Sequence, residues 1–389
     1  MKLKIQNFAQ IKNVDLDVGD AGDLTLIVGP QATGKSIALQ WLKLARDRSV
    51  IRDELEKFGF AWSDAQEFFG VYFGEGMQQG YKSTGKVVTS VQLDGKSLAL
   101  ETIGQKKKGR TVESSTSAYY VPAHRSLLLA DGWPKLFQQY SADTPYVARV
   151  ASESLNALLL RISSQSAVFP QPNRLQASLR TAIDKAVFHG NALKNDTSQS
   201  KRRLVLETKH GAMIPFMAWT AGQREFVPLL LALYELMPPA KVPRLDKYQT
   251  VILEEPELGL HPQAIMAVMS LVLHLLHRKY RVVVSTHSPL LLECAWALQR
   301  FKKSSVAAKL ARKAFALPNA PDQTAESAIK THVRAYYFDY DASGFVTSRD
   351  ISALNLFDES PDVAGWGGLS SYSAKLSDYV AEAVTKSEA

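Results

Sequence analysis

The chain has 389 residues, of which 46% are hydrophobic and 22% charged, and its formal net charge is +8. These values are typical of a globular protein that is large enough for two or three sub-domains. The single cysteine, Cys294, excludes an internal disulfide framework and a cysteine zinc site.

The sequence also bears on location and partners. The apolar stretches near 226–237 and 264–276 are too short to span a bilayer, and residues 1–5 alternate like a strand rather than a signal peptide. We therefore expect a cytoplasmic protein with no membrane partner. The positive charge fits either a polyanionic partner such as nucleic acid or a surface kept soluble by surplus lysines.

Apolar periodicity and turn residues predict secondary structure along most of the chain. Single strands are predicted over 24–28, 118–121, 250–253 and 281–285. Hairpins are predicted over 1–18 and around the turns at 94–95, 210–211 and 341–344. Helices are predicted over 35–48, 226–237 and 374–384, from Pro262 and from Pro289, and in much of 143–195. Residues 50–80 are not assigned, and the polar run over 104–117 is predicted to be a solvated loop.

The first chemical signal is the segment 24–36, in which an apolar strand precedes Gly29-x4-Gly34-Lys35-Ser36, the P-loop pattern. The glycines allow a tight turn whose N–H groups point into one concavity, and the following helix N-terminus attracts the same anion. Lys35 is predicted to reach the β- and γ-phosphates, and Ser36 to hold Mg²⁺. The predicted nucleotide-binding residues are Gly29, Pro30, Gln31, Ala32, Thr33, Gly34, Lys35 and Ser36.

Two further signals follow predicted buried strands. Glu254 and Glu255 end the strand over 250–253, where one carboxylate can hold Mg²⁺ beside Ser36 and the other can orient or deprotonate water. His287 follows the strand over 281–285, at the sheet edge where α/β proteins bind ligands, and can hydrogen-bond a γ-phosphate. The alternative interpretations are an exposed acidic turn and a structural histidine.

The fourth signal is the segment 219–225, Trp-Thr-Ala-Gly-Gln-Arg-Glu, which stands directly before a predicted helix. Thr220, Gly222 and Gln223 offer a hydroxyl, a bare glycine and free N–H groups at a helix N-terminus, which is a second surface for a phosphate. The alternative interpretation is an ordinary helix cap.

The order and spacing of these four signals resemble the ABC-type ATPase head of the OLD and RecF/SMC-like group. Residues 26–36 are similar to its Walker A motif, with Gln31 where asparagine is usual. Residues 220–225 resemble its signature motif, 251–255 its Walker B motif, 257–262 its D-loop and 285–289 its H-loop, and 122–125 resemble the motif near its Q-loop. Glu254 stands where many ABC ATPases have aspartate.

This resemblance implies a fold and a mechanism. The expected fold is α/β, a P-loop NTPase of ABC-ATPase type with a mixed sheet core, a β-hairpin lobe and helical insertions. The expected cofactors are ATP and Mg²⁺, with Lys35, Glu255 and His287 as catalytic residues. Each ATP would lie between Lys35 of one subunit and Thr220, Gly222 and Gln223 of another, in a dimer or higher oligomer. The expected divisions are 1–142 and 201–300 as the two parts of the ATPase core, 143–200 as a helical insertion and 301–389 as a basic C-terminal region.

The resemblance also implies a biological setting, for which rival interpretations stay open. We expect an ATPase that regulates a separate effector protein, as in bacterial anti-phage defence. One rival is an OLD-like nuclease in which Asp339 and Asp341 bind metal, and the other is a nucleotide-gated DNA-binding or repair scaffold of RecF/SMC type with slow turnover. Basic residues that could meet a phosphate backbone, or form a plain solvated helix face, are Arg300, Lys302, Lys303, Lys309, Arg312 and Lys313.

Overall fold

The computed structural model describes residues 1–105, 117–162, 167–172, 174–197, 201–237, 247–319, 323–355, 376–377 and 379–380. Its strands are β1 (Lys2–Phe8), β2 (Ile11–Asp17), β3 (Leu24–Val28), β4 (Ser90–Leu93), β5 (Lys96–Ser97), β6 (Ala118–Val121), β7 (Leu129–Ala130), β8 (Trp133–Pro134), β9 (Ala192–Asp196), β10 (Arg203–Glu207), β11 (Met213–Pro215), β12 (Thr250–Glu254), β13 (Arg281–Ser285), β14 (Val333–Tyr340) and β15 (Val346–Asp350). Its helices are α1 (Lys35–Lys57), α2 (Ala65–Phe73), α3 (Tyr146–Arg161), α4 (Ala177–Ile183), α5 (Ala221–Leu236), α6 (Pro262–His277), α7 (Pro289–Phe301), α8 (Ala307–Ala314) and α9 (Thr324–Lys330). Among these helices, none is both long and apolar enough to cross a membrane.

A ten-stranded mixed sheet organises the molecule, in the order β5-β4-β1-β2-β15-β14-β3-β13-β12-β6. The strands β14, β3, β13, β12 and β6 run parallel to one another, whereas β5, β4, β1 and β2 form an antiparallel part. Between the two parts, β15 is antiparallel to β14 and parallel to β2. Parallel strands place their carboxyl ends at one edge of the sheet. The loops after β3, β12 and β13 therefore meet at that edge, and the predicted α/β fold with a mixed sheet is confirmed.

The central strand β3 is buried over its whole length, because helices cover both faces of the sheet. Leu24, Leu26 and Val28 belong to the core that includes α5, α6 and α7, while Ile27 belongs to the core on the other face, which includes α1 and α2. Successive strand residues point to opposite faces, so one apolar run serves both cores.

An aromatic cluster between β1, α1 and α2 includes several of the aromatic residues of the unassigned segment 50–80. The rings of Phe8 and Trp41 lie 5.1 Å apart and nearly perpendicular, and those of Trp41 and Phe69 lie 5.3 Å apart. Phe73 lies 5.1 Å from Phe8 on the same side. Edge-to-face contacts of this kind add stability beyond the area that they bury.

Phe8→Ala is expected to lower the free energy of unfolding by about 3–5 kcal/mol, because it leaves a cavity between α1 and α2. Urea unfolding followed by circular dichroism measures this change. Phe345→Ala is the matched control, since the Phe345 ring is 42% exposed, and its effect is expected to stay within about 0.5 kcal/mol. Equal losses in the two variants would contradict the placement of Phe8 in this cluster.

Helix α1 begins at Lys35 as predicted but continues to Lys57, nine residues beyond the predicted end at 48. The backbone leaves helical geometry at Asp47, whose carboxylate accepts hydrogen bonds from the backbone of Ser117 and Ala118 at 2.8 and 3.0 Å. Lys43 Nζ lies 2.7 Å from the same carboxylate. This interruption, one residue before the predicted end of the helix, is where α1 is tied to the start of β6.

The predicted hairpins β1–β2, β4–β5, β10–β11 and β14–β15 are confirmed, and so are β3, β6, β12 and β13. Two bounds differ. Strand β5 has only two residues, since residues 100–102 form a short 3-10 helix, and α5 begins at Ala221 rather than 226 because Thr220 caps it. Most of the predicted loop over 104–117 lies outside the described residues, which omit 106–116. Most of the predicted helix over 374–384 lies outside them as well.

The C-terminal hairpin lies inside the main sheet. Strand β14 runs parallel to β3, with Val333 beside Leu24 and Tyr337 beside Val28, and β15 joins β14 to β2. In the segment predicted as a helical insertion, β9 pairs with β10 in a separate three-stranded sheet. The predicted divisions at residues 142, 200 and 300 stay predictions. The three-stranded sheet contains strands from both sides of residue 200, and the main sheet contains strands from both sides of residue 300.

Candidate functional site

The loop between β3 and α1 has the backbone shape that its glycines predict. Gly29 has φ +148° and Gly34 has φ +75°, and a Cβ on Gly29 would lie 2.2 Å from the carbonyl oxygen of Phe338 in β14. Gly34 is the N-cap of α1 and supplies no side-chain cap, so the first N–H groups of the helix are left for another acceptor. An anion fits this position, since the helix dipole attracts it as well.

Lys35 folds back into this loop. Its Nζ donates to the carbonyl oxygens of Gly29 at 2.9 Å and Pro30 at 2.6 Å. Burial lowers the pKa of Lys35 to about 8, while the charges of Glu255 and Glu257 act in the opposite direction. A buried ammonium that contacts only neutral oxygens is well placed to bind a phosphate more strongly.

Glu254, the last residue of β12, is 4% exposed. Burial raises the pKa of its carboxyl, an effect partly offset by the hydroxyls of Tyr120 and Ser36 and by the Ala123 amide, which donates to Oε2 at 3.2 Å. Among the described residues, Oε1 of Glu254 makes no hydrogen bond of regular geometry. A buried carboxylate oxygen with spare capacity next to the Ser36 hydroxyl fits a hard cation such as Mg²⁺.

Glu255 has an unusual backbone conformation, with φ +39°, a region that residues other than glycine seldom adopt. Its N–H donates to the carbonyl oxygen of Ser285 at 2.9 Å, and its Oε1 lies 3.0 Å from His287 Nε2. The hydrogen bond from His287 lowers the pKa of Glu255, more than burial raises it, and Lys35 adds to the lowering. The structure therefore brings the predicted pair Glu255 and His287 into contact at the edge that holds Lys35.

From the sequence, Glu257 is predicted only as the first residue of the D-loop-like segment 257–262. In the structure, its carboxylate contacts the loop after β13. Its Oε1 accepts the Thr286 hydroxyl at 2.6 Å and the His287 N–H at 2.8 Å. Burial raises the pKa of its carboxyl, and these hydrogen bonds oppose that effect. Glu257 thus fixes the backbone of His287, which in turn contacts Glu255.

The signature-like segment lies at the start of α5, and its predicted residues form a helix cap. Thr220 Oγ1 accepts the Gln223 N–H at 3.2 Å, and Gln223 Oε1 accepts the Thr220 N–H at 3.1 Å, which is a capping box. Gln223 Nε2 donates to Val187 O at 3.1 Å. A Cβ on Gly222 would lie 2.9 Å from Gly259 O, so the glycine is needed for packing against residues 257–262. Within one chain these three residues do not join the group around Lys35.

Comparison with known proteins gives one family. Residues 81–293, more than half of the chain, match the family model described as AAA domain, putative AbiEii toxin, Type IV TA system. The chain belongs to this family of AAA domains. The matched range contains Glu254, Glu255 and His287 and begins after the P-loop. No curated protein matches the sequence.

Solved structures similar to this AAA domain are distant in sequence. The SMC head domain from Thermotoga maritima is 12% identical with a TM-score of 0.37, over 90% of this chain and 97% of that one. An SMC head bound to the C-winged helix domain of ScpA is 10% identical with a TM-score of 0.42, over 90% and 96%. A bacterial ABC transporter cassette, solved as a dimer, is 13% identical with a TM-score of 0.33, over 74% and 88%.

A second charged residue near the site, Arg125, likewise has no separate role predicted from the sequence. Arg125, the last residue of the Pro-Ala-His-Arg motif, is fully buried directly after β6. Its guanidinium donates to the carbonyl oxygens of Glu254 at 2.9 Å and Glu255 at 3.2 Å. One feature of the sequence could have indicated a role for Arg125. This arginine ends a motif that closely follows a predicted buried strand, where a charged side chain is expected to have a specific partner.

Of the C-terminal acidic pair, Asp341 lies at the β14–β15 turn, whereas Asp339 lies within β14 beside Thr347 of β15. Asp341 accepts hydrogen bonds from Ser343 and Phe345 N–H at 2.9 and 3.1 Å and pairs with Lys12 at 2.7 Å. These hydrogen bonds, the one from Lys12 first, hold the pKa of Asp341 well below its usual range. In the part of the chain described here, no group of three or more acidic, histidine or cysteine side chains is arranged to hold a metal. The geometry of Asp341 supports its interpretation as a turn residue.

Two members of the basic stretch over 300–313 already have partners within the chain. Lys302 Nζ donates to the Thr331 carbonyl oxygen at 2.5 Å, and Arg312 pairs with Glu326. Arg300 is exposed, and its guanidinium lies 5.8 Å from the centre of the Trp296 ring. Lys303, Lys309 and Lys313 are exposed as well. The last three are therefore the members of the stretch that are most accessible to a phosphate backbone.

Proposed function

We propose that this AAA domain binds and hydrolyses ATP. The observation that carries the proposal is that one sheet edge holds a buried, poorly neutralised Lys35 in a P-loop together with the contacting pair Glu255 and His287. Release of phosphate from ATP by the purified chain, with Mg²⁺ and with a chelator, tests it. No Mg²⁺-dependent release above background would overturn the proposal.

The positions of the residues assign each of them a role in phosphate binding, metal binding or proton transfer. Lys35 and the loop N–H groups would bind the β- and γ-phosphates. Ser36 and Glu254 would hold Mg²⁺, which neutralises charge on the phosphates when it is bound. Glu255, an ionised carboxylate with a lowered pKa, would accept the proton of the water that attacks the γ-phosphorus as the bond to ADP breaks. His287 would orient Glu255 and approach the γ-phosphate.

We infer that two subunits enclose each ATP, with the start of α5 from one facing the P-loop of the other. The first N–H groups of a helix lack partners within it, and Thr220 satisfies only that of Gln223. Ala221 is exposed at the first position of α5. A γ-phosphate from a second subunit would supply the anion that this helix N-terminus attracts.

Ala221→Asp is expected to prevent ATP-dependent association, because it places a carboxylate against the γ-phosphate. An acidic residue in the first turn suits the helix dipole, so folding is expected to be unaffected. Light scattering measures the mass with and without ATP and Mg²⁺. Ala221→Asn, of nearly the same shape but uncharged, is the matched control and should still associate. An oligomer indifferent to ATP and to both substitutions would place assembly on another surface.

We infer further that the ATPase regulates a separate effector, in bacterial anti-phage defence. The resemblance to OLD-like ATPases supports this role, and so does the family description, which names a Type IV TA system. The exposed Lys303, Lys309 and Lys313 favour nucleic acid as a second binding partner. Measuring turnover with and without DNA distinguishes a DNA-responsive ATPase from one that responds to protein alone.

A further inference from the structure

Arg125 connects three elements that meet behind the candidate site. Nη1 donates to the carbonyl oxygens of Pro122 at 3.1 Å and Glu254 at 2.9 Å, and Nη2 donates to Glu255 O at 3.2 Å. Nε donates to the carbonyl oxygen of Glu225, in α5, at 3.0 Å. A buried guanidinium is costly unless hydrogen bonds satisfy it, and here four backbone carbonyls do so.

The contact with α5 is reciprocal. The Glu225 carboxylate accepts the Arg125 N–H at 2.9 Å and the Ser126 hydroxyl at 2.5 Å. Glu225 lies one helical turn beyond Gly222, in the helix whose first residues face the inferred partner subunit. A displacement at the start of α5 therefore moves the groups that hold Arg125.

At its other end, Arg125 holds the residue proposed to accept the proton from water. Glu255 has φ +39°, which is unfavourable for a side chain with a Cβ, so surrounding contacts must maintain it. Two do so from opposite sides: Ser285 O accepts the Glu255 N–H at 2.9 Å, and Arg125 Nη2 donates to the Glu255 carbonyl at 3.2 Å. The direction of the Glu255 side chain toward His287 depends on this backbone conformation.

We propose that Arg125 is a positioning residue that couples the start of α5 to Glu255, so that hydrolysis depends on engagement of the signature-like segment by a second subunit. This inference rests on the proposed ATPase function. The guanidinium of Arg125 donates to backbone carbonyls outside the phosphate-binding loop. Its loss should therefore lower the rate of turnover and leave nucleotide binding in place.

Arg125→Lys tests the proposal, because lysine keeps the charge but has one nitrogen in place of three and cannot bridge α5 and both glutamate carbonyls. We expect kcat to fall at least about tenfold, while the Kd for ATP and the ATP-dependent mass stay within about threefold of wild type. Glu225→Gln, which keeps the side-chain shape, should give the same pattern with a smaller loss, and it serves if Arg125→Lys does not fold. Arg48→Lys is the control, since it makes the same chemical change at an exposed position of α1 and should leave kcat unchanged.

The outcomes separate the two proposals. A folded Arg125→Lys or Glu225→Gln variant with wild-type kcat would overturn the coupling role alone. Parallel losses of kcat, ATP affinity, association and thermal stability would show that Arg125 is merely structural, and would overturn it too. Absence of hydrolysis by the wild-type chain in the same assay would instead overturn the proposed ATPase function.

Discussion

Glu255→Gln is expected to abolish ATP hydrolysis while ATP still binds and the ATP-dependent increase in mass persists. Glutamine keeps the shape of the side chain and can still contact His287, but it cannot accept a proton from water. Loss of a general base typically costs about 10²–10⁴ in rate. Phosphate release measures the hydrolysis, a labelled nucleotide the binding, and light scattering the mass.

The Glu255→Gln experiment needs a control for the change of charge. Glu101→Gln makes the same chemical change at an exposed position on the short helix over 100–102, and it should leave hydrolysis unchanged. If Glu255→Gln retained the wild-type rate, another group would have to accept the proton. If it failed to bind ATP, Glu255 would be needed for the fold of the site rather than for chemistry.

Lys35→Ala is expected to remove hydrolysis and to weaken ATP binding as well. The substitution deletes the ammonium that now contacts Gly29 O and Pro30 O and that would move onto the phosphates. Removal of one preorganised electrostatic group costs on the order of 10²–10³ in rate. Phosphate release and ATP titration measure the two effects in the same preparation.

Lys12→Ala is the matched control for Lys35→Ala. Lys12 has a side chain that is 52% exposed and pairs with Asp341, at the turn end of the neighbouring hairpin. We expect its loss to leave turnover and affinity near wild type. Wild-type turnover in Lys35→Ala, or equal losses in both variants, would contradict the assignment of the P-loop as the nucleotide site.

The parts of the fold that were predicted from sequence depend on neighbours along the chain. The apolar strand β3 followed by its glycines, the turn at Asp94-Gly95 and Pro262 at the start of α6 all carry their signals within a few residues. The same holds for Lys35, Glu255 and His287, since each follows a strand that is itself readable. Their convergence was expected because parallel strands end at one edge.

The parts that were not predicted depend on contacts between distant residues. Nothing near residue 333 indicates that β14 pairs with β3, since that register joins residues about three hundred positions apart. Likewise, position 222 requires a glycine because the carbonyl of Gly259 packs against it. Two of the carbonyls that accept hydrogen bonds from Arg125 lie on β12 and α5. Such positions are chosen by tertiary packing, which local propensity does not encode.

The place of β14 beside β3 has a consequence for synthesis on the ribosome. The segment 24–28 emerges from the ribosome more than two hundred residues before either of the strands that flank it, 281–285 and 333–337. Until then both edges of β3 carry unpaired backbone groups, which can pair with other chains. A nascent chain halted before residue 333 therefore has a P-loop motif that lacks β14, one of the two strands beside β3. Messages truncated there should yield aggregates or substrates for proteolysis instead of a folded protein.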